Sequence, residues 1–160
     1  MSTKDKSYIE GVTVRGLDGL TKETFVGCDF SRARIAGSVK NLKFYFCDFS
    51  EATFDLTKLR NCRFYNCDFT EADFLSAHIK QVQIIGSNMG RCVFDGCRMD
   101  RVLLKNCVAR WLQVHHCKIK KIIVSGNFMD SSWRGNMVDI CAVNGDIITS
   151  LTTGDEPWRD

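Results

Sequence analysis

Apolar residues recur at every fifth position through most of this chain. The series runs Val39, Phe44, Phe49, Phe54, Leu59, Phe64, Phe69, Phe74, Ile79 and Ile84, then Met89, Phe94, Met99, Leu104, Ala109, Val114, Ile119, Val124 and Met129. With 44% apolar residues overall, chance yields such an unbroken run on the order of once in ten million trials. A period of five is neither the 3.6 of an α-helix nor the 2 of a flat strand. Self-similarity at a short fixed period marks a solenoid, whose units bury their apolar residues only against the units above and below.

The rhythm slips twice. Before Val39 it runs one step out of phase, as Phe25, Phe30 and Ile35, and the slip falls in the small residues Ala36-Gly37-Ser38. A second one-residue slip after Met129 restores it at Trp133, Val138, Val143 and Ile148. Two residues before each large centre the residue is usually small, as at Cys47, Ala52, Thr57, Cys62, Cys67, Ala72 and Ala77. All nine cysteines fall in this slot. The centre and the small slot are therefore expected to face inward, and the other three residues of each five outward.

Cys28-Asp29-Phe30-Ser31-Arg32, Cys47-Asp48-Phe49-Ser50-Glu51, Cys67-Asp68-Phe69-Thr70-Glu71 and Ala72-Asp73-Phe74-Leu75-Ser76 resemble pentapeptide repeats of the A-(D/N)-(L/F)-x-x type. The resemblance runs from about residue 23 to about residue 131 and weakens after Met99, where the Asp or Asn before the centre is lost. It implies an all-β fold, a right-handed quadrilateral β-helix with one pentapeptide per side and four per coil. A β-helix needs caps, which divides the chain into an N-terminal cap at 1–22, the β-helix at 23–148 and a C-terminal tail or cap at 149–160. The stretch Ile147-Ile148-Thr149-Ser150-Leu151 is suited to cover the last coil or to pair with a second copy, giving a homodimer through a terminal coil.

Length and composition narrow the setting. A chain of 160 residues suits one domain with a real core. No stretch approaches the roughly 20 apolar residues of a membrane span. The polar start, Met1 to Tyr8, lacks the apolar segment of a signal peptide, so a cytoplasmic protein is expected. Nine cysteines, an odd number, argue against a full disulfide framework. The pairs Cys62/Cys67 and Cys92/Cys97 invite comparison with a four-thiolate zinc site. Their shared inward slot favours packing as small hydrophobes instead. Cys47 and Cys67, one coil apart, fall within disulfide reach, but parallel side chains and a reducing cytosol predict free thiols. His78, His115 and His116 are expected at the solvated surface, with no serine or carboxylate placed for a triad. Gly86-Ser87-Asn88-Met89-Gly90 lacks the lysine of a phosphate loop. Trp133 falls on the period and is expected in the core.

The net charge of +3 says little until it is distributed over the four sides. Counting by twenty stays on one side. One side then collects Lys40, Lys58, Arg60, Lys80, Arg98, Arg101, Lys118, Lys120 and Lys121 against a single acid, Asp100. The next side adds Lys43, Arg63 and Lys105 with outward Tyr45, Phe46, Tyr65, Ile85, Leu103 and Ile123. Acids gather on the opposite sides, among them Asp48, Glu51, Asp68, Glu71 and Asp73. A basic stripe beside aromatics suits a nucleic acid or another polyanion. The expectation is a non-enzymatic interaction scaffold that presents a charged surface to a protein or polyanionic partner, without catalytic residues, metal or cofactor. The resemblance supplies the alternative. Some members of the family mimic duplex DNA and bind type II topoisomerases such as gyrase, which protects them from quinolones or natural toxins. Here that role would fall to the acidic set.

Overall fold

The structure, a computed structural model, describes residues 24–144 and the backbone of a last strand at 146–151. The N-terminal cap expected at 1–22 and the residues past 151 lie outside the described residues. The described chain winds as a four-sided parallel β-solenoid and holds no helix.

Register defines the sides. On side I, β2 (Ser38–Lys40) and β4 (Lys58–Arg60) pair in parallel, and β4 pairs with the start of β7 (His78–Ile85). On side II, β1 (Thr24–Val26), β3 (Lys43–Tyr45) and β5 (Arg63–Tyr65) stack and meet the end of β7. From β7 onward, β9 (Arg98–Val108), β11 (Lys118–Asn127) and β13 (Met137–Val143) run through side I and around the corner into side II. Side III is joined by single bridges such as Asp48↔Asp68 and Asp68↔Asn88. Side IV carries β6 (Asp73–Leu75), β8 (Val93–Asp95), β10 (Gln113–His115) and β12 (Ser132–Arg134).

Two positions of each five point inward because the chain turns a corner after every pentad. The residue two after the centre takes up the left-handed conformation: Asn61 (φ 50), Asn66 (φ 52), Glu71 (φ 60) and Ser76 (φ 52) turn one whole coil. On the corner from side III to side IV a backbone bond closes the turn, as from Ala52 N–H to the Phe49 carbonyl at 3.0 Å. The centres then stack coil on coil. Phe44 lies on Phe64 with ring centroids 4.8 Å apart, Phe49 on Phe69 at 5.2 Å, and Phe54 on Phe74 at 4.4 Å. Between sides the same rings meet edge to face, as Phe64 and Phe69 do at 5.1 Å. Such pairs add about 0.5–1.5 kcal/mol each beyond the area they bury.

The small slots are buried too, and all nine cysteines are free and buried there. Where the slot is polar, it serves the backbone. The Thr57 hydroxyl donates to the Ile35 carbonyl at 2.7 Å, and the Asn136 amide bridges Cys117 N–H and the Val114 carbonyl.

The first slip falls where the sequence places it: Phe25 pairs with Phe44, 19 residues on, whereas Val39 pairs with Leu59, 20 on. The second falls one pentad earlier than expected. Met129 is 63% exposed and the buried centre is Phe128. The register changes between Val124 and Gly126, and Gly126 stands opposite Cys107. With φ +122 and a built Cβ only 2.1 Å from the Cys107 carbonyl oxygen, that place admits glycine alone. Phe128 and Met129 are both apolar, so hydropathy could not separate them; Gly126 could. Beyond it Trp133 is buried as expected, and the weaker motif after Met99 does not interrupt the coils. At the C-terminal end β14 (Asp146–Leu151) pairs antiparallel with β13 and so occupies its edge within the same chain.

Candidate functional site

Side I brings the predicted basic residues together. Each of its strands exposes the residue before and the residue after its buried centre. Two rows of side chains therefore run along the rod, one strand spacing of about 4.8 Å per step. The row before the centres is Ser38, Lys58, His78, Arg98 and Lys118, ending at Met137. The row after the centres begins Lys40, Arg60, Lys80 and Asp100. It continues with Lys120, next to Ile119, which pairs with Met99 and Val138. Arg101 and Lys121 sit on the corner toward side II. All nine cations are exposed. Asp139 follows on the last coil; the shorter coil makes Val138 the partner of Ile119 and sets Asp139 in the outward row, whereas counting by twenty would make Asp139 the centre.

Between the two rows lies a shallow trough of about 580 Å³. Its walls are Arg60, Lys80, Asp100, Lys120 and Asp139 on one side and His78, Arg98, Lys118 and Met137 on the other. Its floor lies over the buried centres Ile79, Met99 and Ile119. Among the described residues, Arg101 alone of the nine cations has a carboxylate within ion-pair distance, its neighbour Asp100 at 3.4 Å. A second recess of about 370 Å³ opens beside the corner, lined by Asn61, Arg63, Gln81, Gln83, Leu103 and Ile123 among others. On side II the exposed edges of Tyr45 and Tyr65 stack on one another at 4.8 Å.

The acidic set is arranged differently. Asp48 accepts a hydrogen bond from Ser50 N–H at 2.8 Å and another from its hydroxyl. Asp68 does the same for Thr70, and Asp29 accepts from Ser31 N–H. These carboxylates stitch the side III turns, as Asn88 does for Gly90. Glu51 meets Arg32 at 3.6 Å and Glu71 meets Arg91 at 3.7 Å. Partial burial, and then the nearby charge of Asp55, push the Asp73 carboxyl up from its ordinary value. Of the acidic set, Asp48 and Asp68 thus serve the turns and Glu51 and Glu71 are matched by arginines, while Asp73 stands beside another acid, Asp55.

The remaining chemistry-bearing side chains do not converge. His115 Nε2 lies 2.9 Å from the Ser132 hydroxyl and His116 Nδ1 3.1 Å from Asp95. These are two separate pairs rather than one relay, and neither is legible from the residue pattern alone. Among the described residues no three His, Cys, Asp or Glu side chains cluster as metal ligands. Burial pushes the thiols of Cys62, Cys92 and Cys107 up, and that of Cys141 up to about 11. Cys47 and Cys97 are held up first by hydrogen bonding with Cys67 and Cys117 and then by burial. Thiols buried among apolar side chains pack as small hydrophobes. No helix among the described residues is long and apolar enough to cross a membrane.

The family described as pentapeptide repeat region matches residues 57–133, the span in which four sides per coil and one pentad per side are most regular. This chain carries a pentapeptide repeat region. Similar solved structures include trypsin-treated QnrB1, described as a plasmid-mediated fluoroquinolone resistance protein. It is 18% identical over 78% of this chain and 86% of its own, with a TM-score of 0.36. The pentapeptide-repeat protein Rfr23 of the cyanobacterium Cyanothece is 11% identical over 75% of this chain and 59% of its own, with a TM-score of 0.23. HetL of the cyanobacterium Nostoc, described as involved in heterocyst differentiation regulation, is 9% identical over 86% of this chain and 94% of its own, with a TM-score of 0.23. No curated protein matches by sequence.

Proposed function

We propose that this pentapeptide-repeat protein is a non-enzymatic interaction rod whose working surface is the basic side, held against a polyanion or the acidic surface of a protein partner. The observation that carries the reading is the asymmetry of charge. Eight exposed cations on side I have no carboxylate within 4.0 Å among the described residues, while across the rod Asp48 and Asp68 are engaged in turns and Glu51 and Glu71 in ion pairs. A face of unmatched cations raises the local concentration of anionic partners and steers them in. The alternative, a duplex-DNA mimic acting on a topoisomerase, needs rows of free negative charge. Asp48 and Asp68 spend an oxygen on the turns, and Glu51 and Glu71 are faced by arginines. The buried, reduced thiols suit a cytoplasmic setting.

The test is fluorescence anisotropy with labelled duplex DNA and labelled polyglutamate at about 50 mM salt, where electrostatic attraction is little screened. Micromolar binding that Lys80→Glu with Lys120→Glu abolishes is the expected result. No binding of either probe, or binding indifferent to the double change, refutes the basic side as the working surface.

A further inference from the structure

We infer that the anion this rod accepts is a single strand of nucleic acid, with its phosphates in the side I trough and its bases over the corner onto side II. The inference rests on the basic side being the working surface and adds what it is shaped for. The trough walls are two residues apart along each strand, about 6.6 Å between Cα positions. Between them the trough runs from Arg60 to Asp139, four strand spacings or about 19 Å. A slot this narrow and long admits one extended chain. A duplex, convex and two-stranded, touches only its rims.

What lies beside the trough favours nucleic acid over an acidic peptide. The side I strands bond to one another rung by rung, so their backbone offers a peptide no strand edge to pair with. At the corner, the second recess joins the amides of Gln83 and Asn61 and the cations Arg63 and Arg101 to the apolar Leu103 and Ile123. Amides bond base edges and apolar groups cover base faces. The Asn61 side-chain amide donates to Asn41 Oδ1 at 2.8 Å, which holds it in place at the exposed corner. A cationic track beside a surface for bases is the general plan of single-strand recognition.

The experiment titrates the whole chain into four labelled probes at several salt concentrations: a mixed-sequence 20-nucleotide DNA strand, the same backbone without bases, the matching duplex and polyglutamate. The intact strand should bind about tenfold more tightly than each of the other three. Five wall cations in contact give a slope of log K against log salt of about −3.5, at about −0.7 per phosphate for a single strand. Lys80→Glu with Lys120→Glu should flatten that slope by at least about 1.4. Gln83→Ala with Leu103→Ala, checked for an unchanged melting curve, should weaken the intact strand about tenfold with its slope unchanged and leave the base-free strand alone. Equal binding of all four probes, or tighter binding of duplex or polyglutamate, overturns the inference while the basic side stands. Binding of none overturns both.

Discussion

Replacing Phe69 by alanine probes the stacked interior at its middle. Phe69 is fully buried, lies on Phe49 at 5.2 Å with an interplanar angle of 6°, and meets Phe64 edge to face at 5.1 Å. Phe54 and Phe74 stand 6.2 Å away on the next side. Core Phe→Ala changes cost about 3–5 kcal/mol, more when the site cannot collapse. This one cannot collapse easily. Its neighbours are held by their own stacks, Phe64 on Phe44 and Phe54 on Phe74, and the backbone ladder fixes the coil spacing. The loss should therefore fall in the upper half of that range, about 4–5 kcal/mol, a large share of the stability of an ordinary domain. Urea unfolding followed by far-ultraviolet circular dichroism measures it as a shift in midpoint at constant m. Phe46→Ala is the control, since Phe46 is 65% exposed at a corner, and it should change stability by no more than about 0.5 kcal/mol. A loss below about 1 kcal/mol at Phe69, or equal losses at both sites, would refute the stacked core. A fall in m would show that the coils on either side of the cavity unfold separately, as a linear array permits.

Three further outcomes follow from the local geometry. Leu56 is 75% exposed with φ +57; Leu56→Asn should stabilise by about 0.5–1 kcal/mol, because asparagine tolerates the left-handed region that leucine does not, and a lower melting temperature would contradict this. The raised Asp73 carboxyl adds stability while protonated and loses it as pH rises through its folded value. Asp73→Asn should thus gain about 0.5 kcal/mol at pH 7 and nothing near pH 3, and a gain independent of pH would dismiss the charge as its cause. The nine thiols, all buried, should react with a thiol reagent only as fast as the chain opens and completely in denaturant, whereas rapid labelling of the native protein would place cysteines outside the core.

The interior was legible because only two positions in five touch it, and each repeats often enough to expose its rule. Phe44 or Cys62 alone says nothing; their recurrence fixes the side on which every residue lies, and with it the basic face. The corners were legible in principle: Asn41, Asn61, Asn66, Gly86, Gly96 and Asn106 sit at left-handed positions, and these residue types favour that conformation. Phe46, Leu56 and Trp111 occupy equivalent corners and mask the signal. The trough and the pairing of the acids were not legible. Both depend on which coil lies above which, so they need the register, and a single dropped residue at Gly126 moves Met137 and Asp139 from the inward positions that a count of twenty assigns them to the two outward rows.

The fold accounts for Asp48 and Asp68 but not for the cations of side I. Asp48 and Asp68 are required by the turns they close. Nothing inside the coil asks for lysine or arginine at 40, 60 and 80, because the residue after each centre points to solvent. The ladder instead sets Lys40 against Arg60 and Arg60 against Lys80, and like charges directly opposite on neighbouring strands oppose folding. Arg60 carries two such contacts. Arg60→Gln should therefore raise stability by about 0.5 kcal/mol at low salt, and the gain should vanish near 1 M salt, where the screening length is about 3 Å. The same change removes a wall of the trough and should weaken binding of the single strand. Opposite signs from one substitution, stability up and affinity down, are what a surface kept for a partner yields. If Arg60→Gln destabilises the protein at low salt, or leaves both quantities unmoved, the cations have some other source and the basic side is solvated decoration.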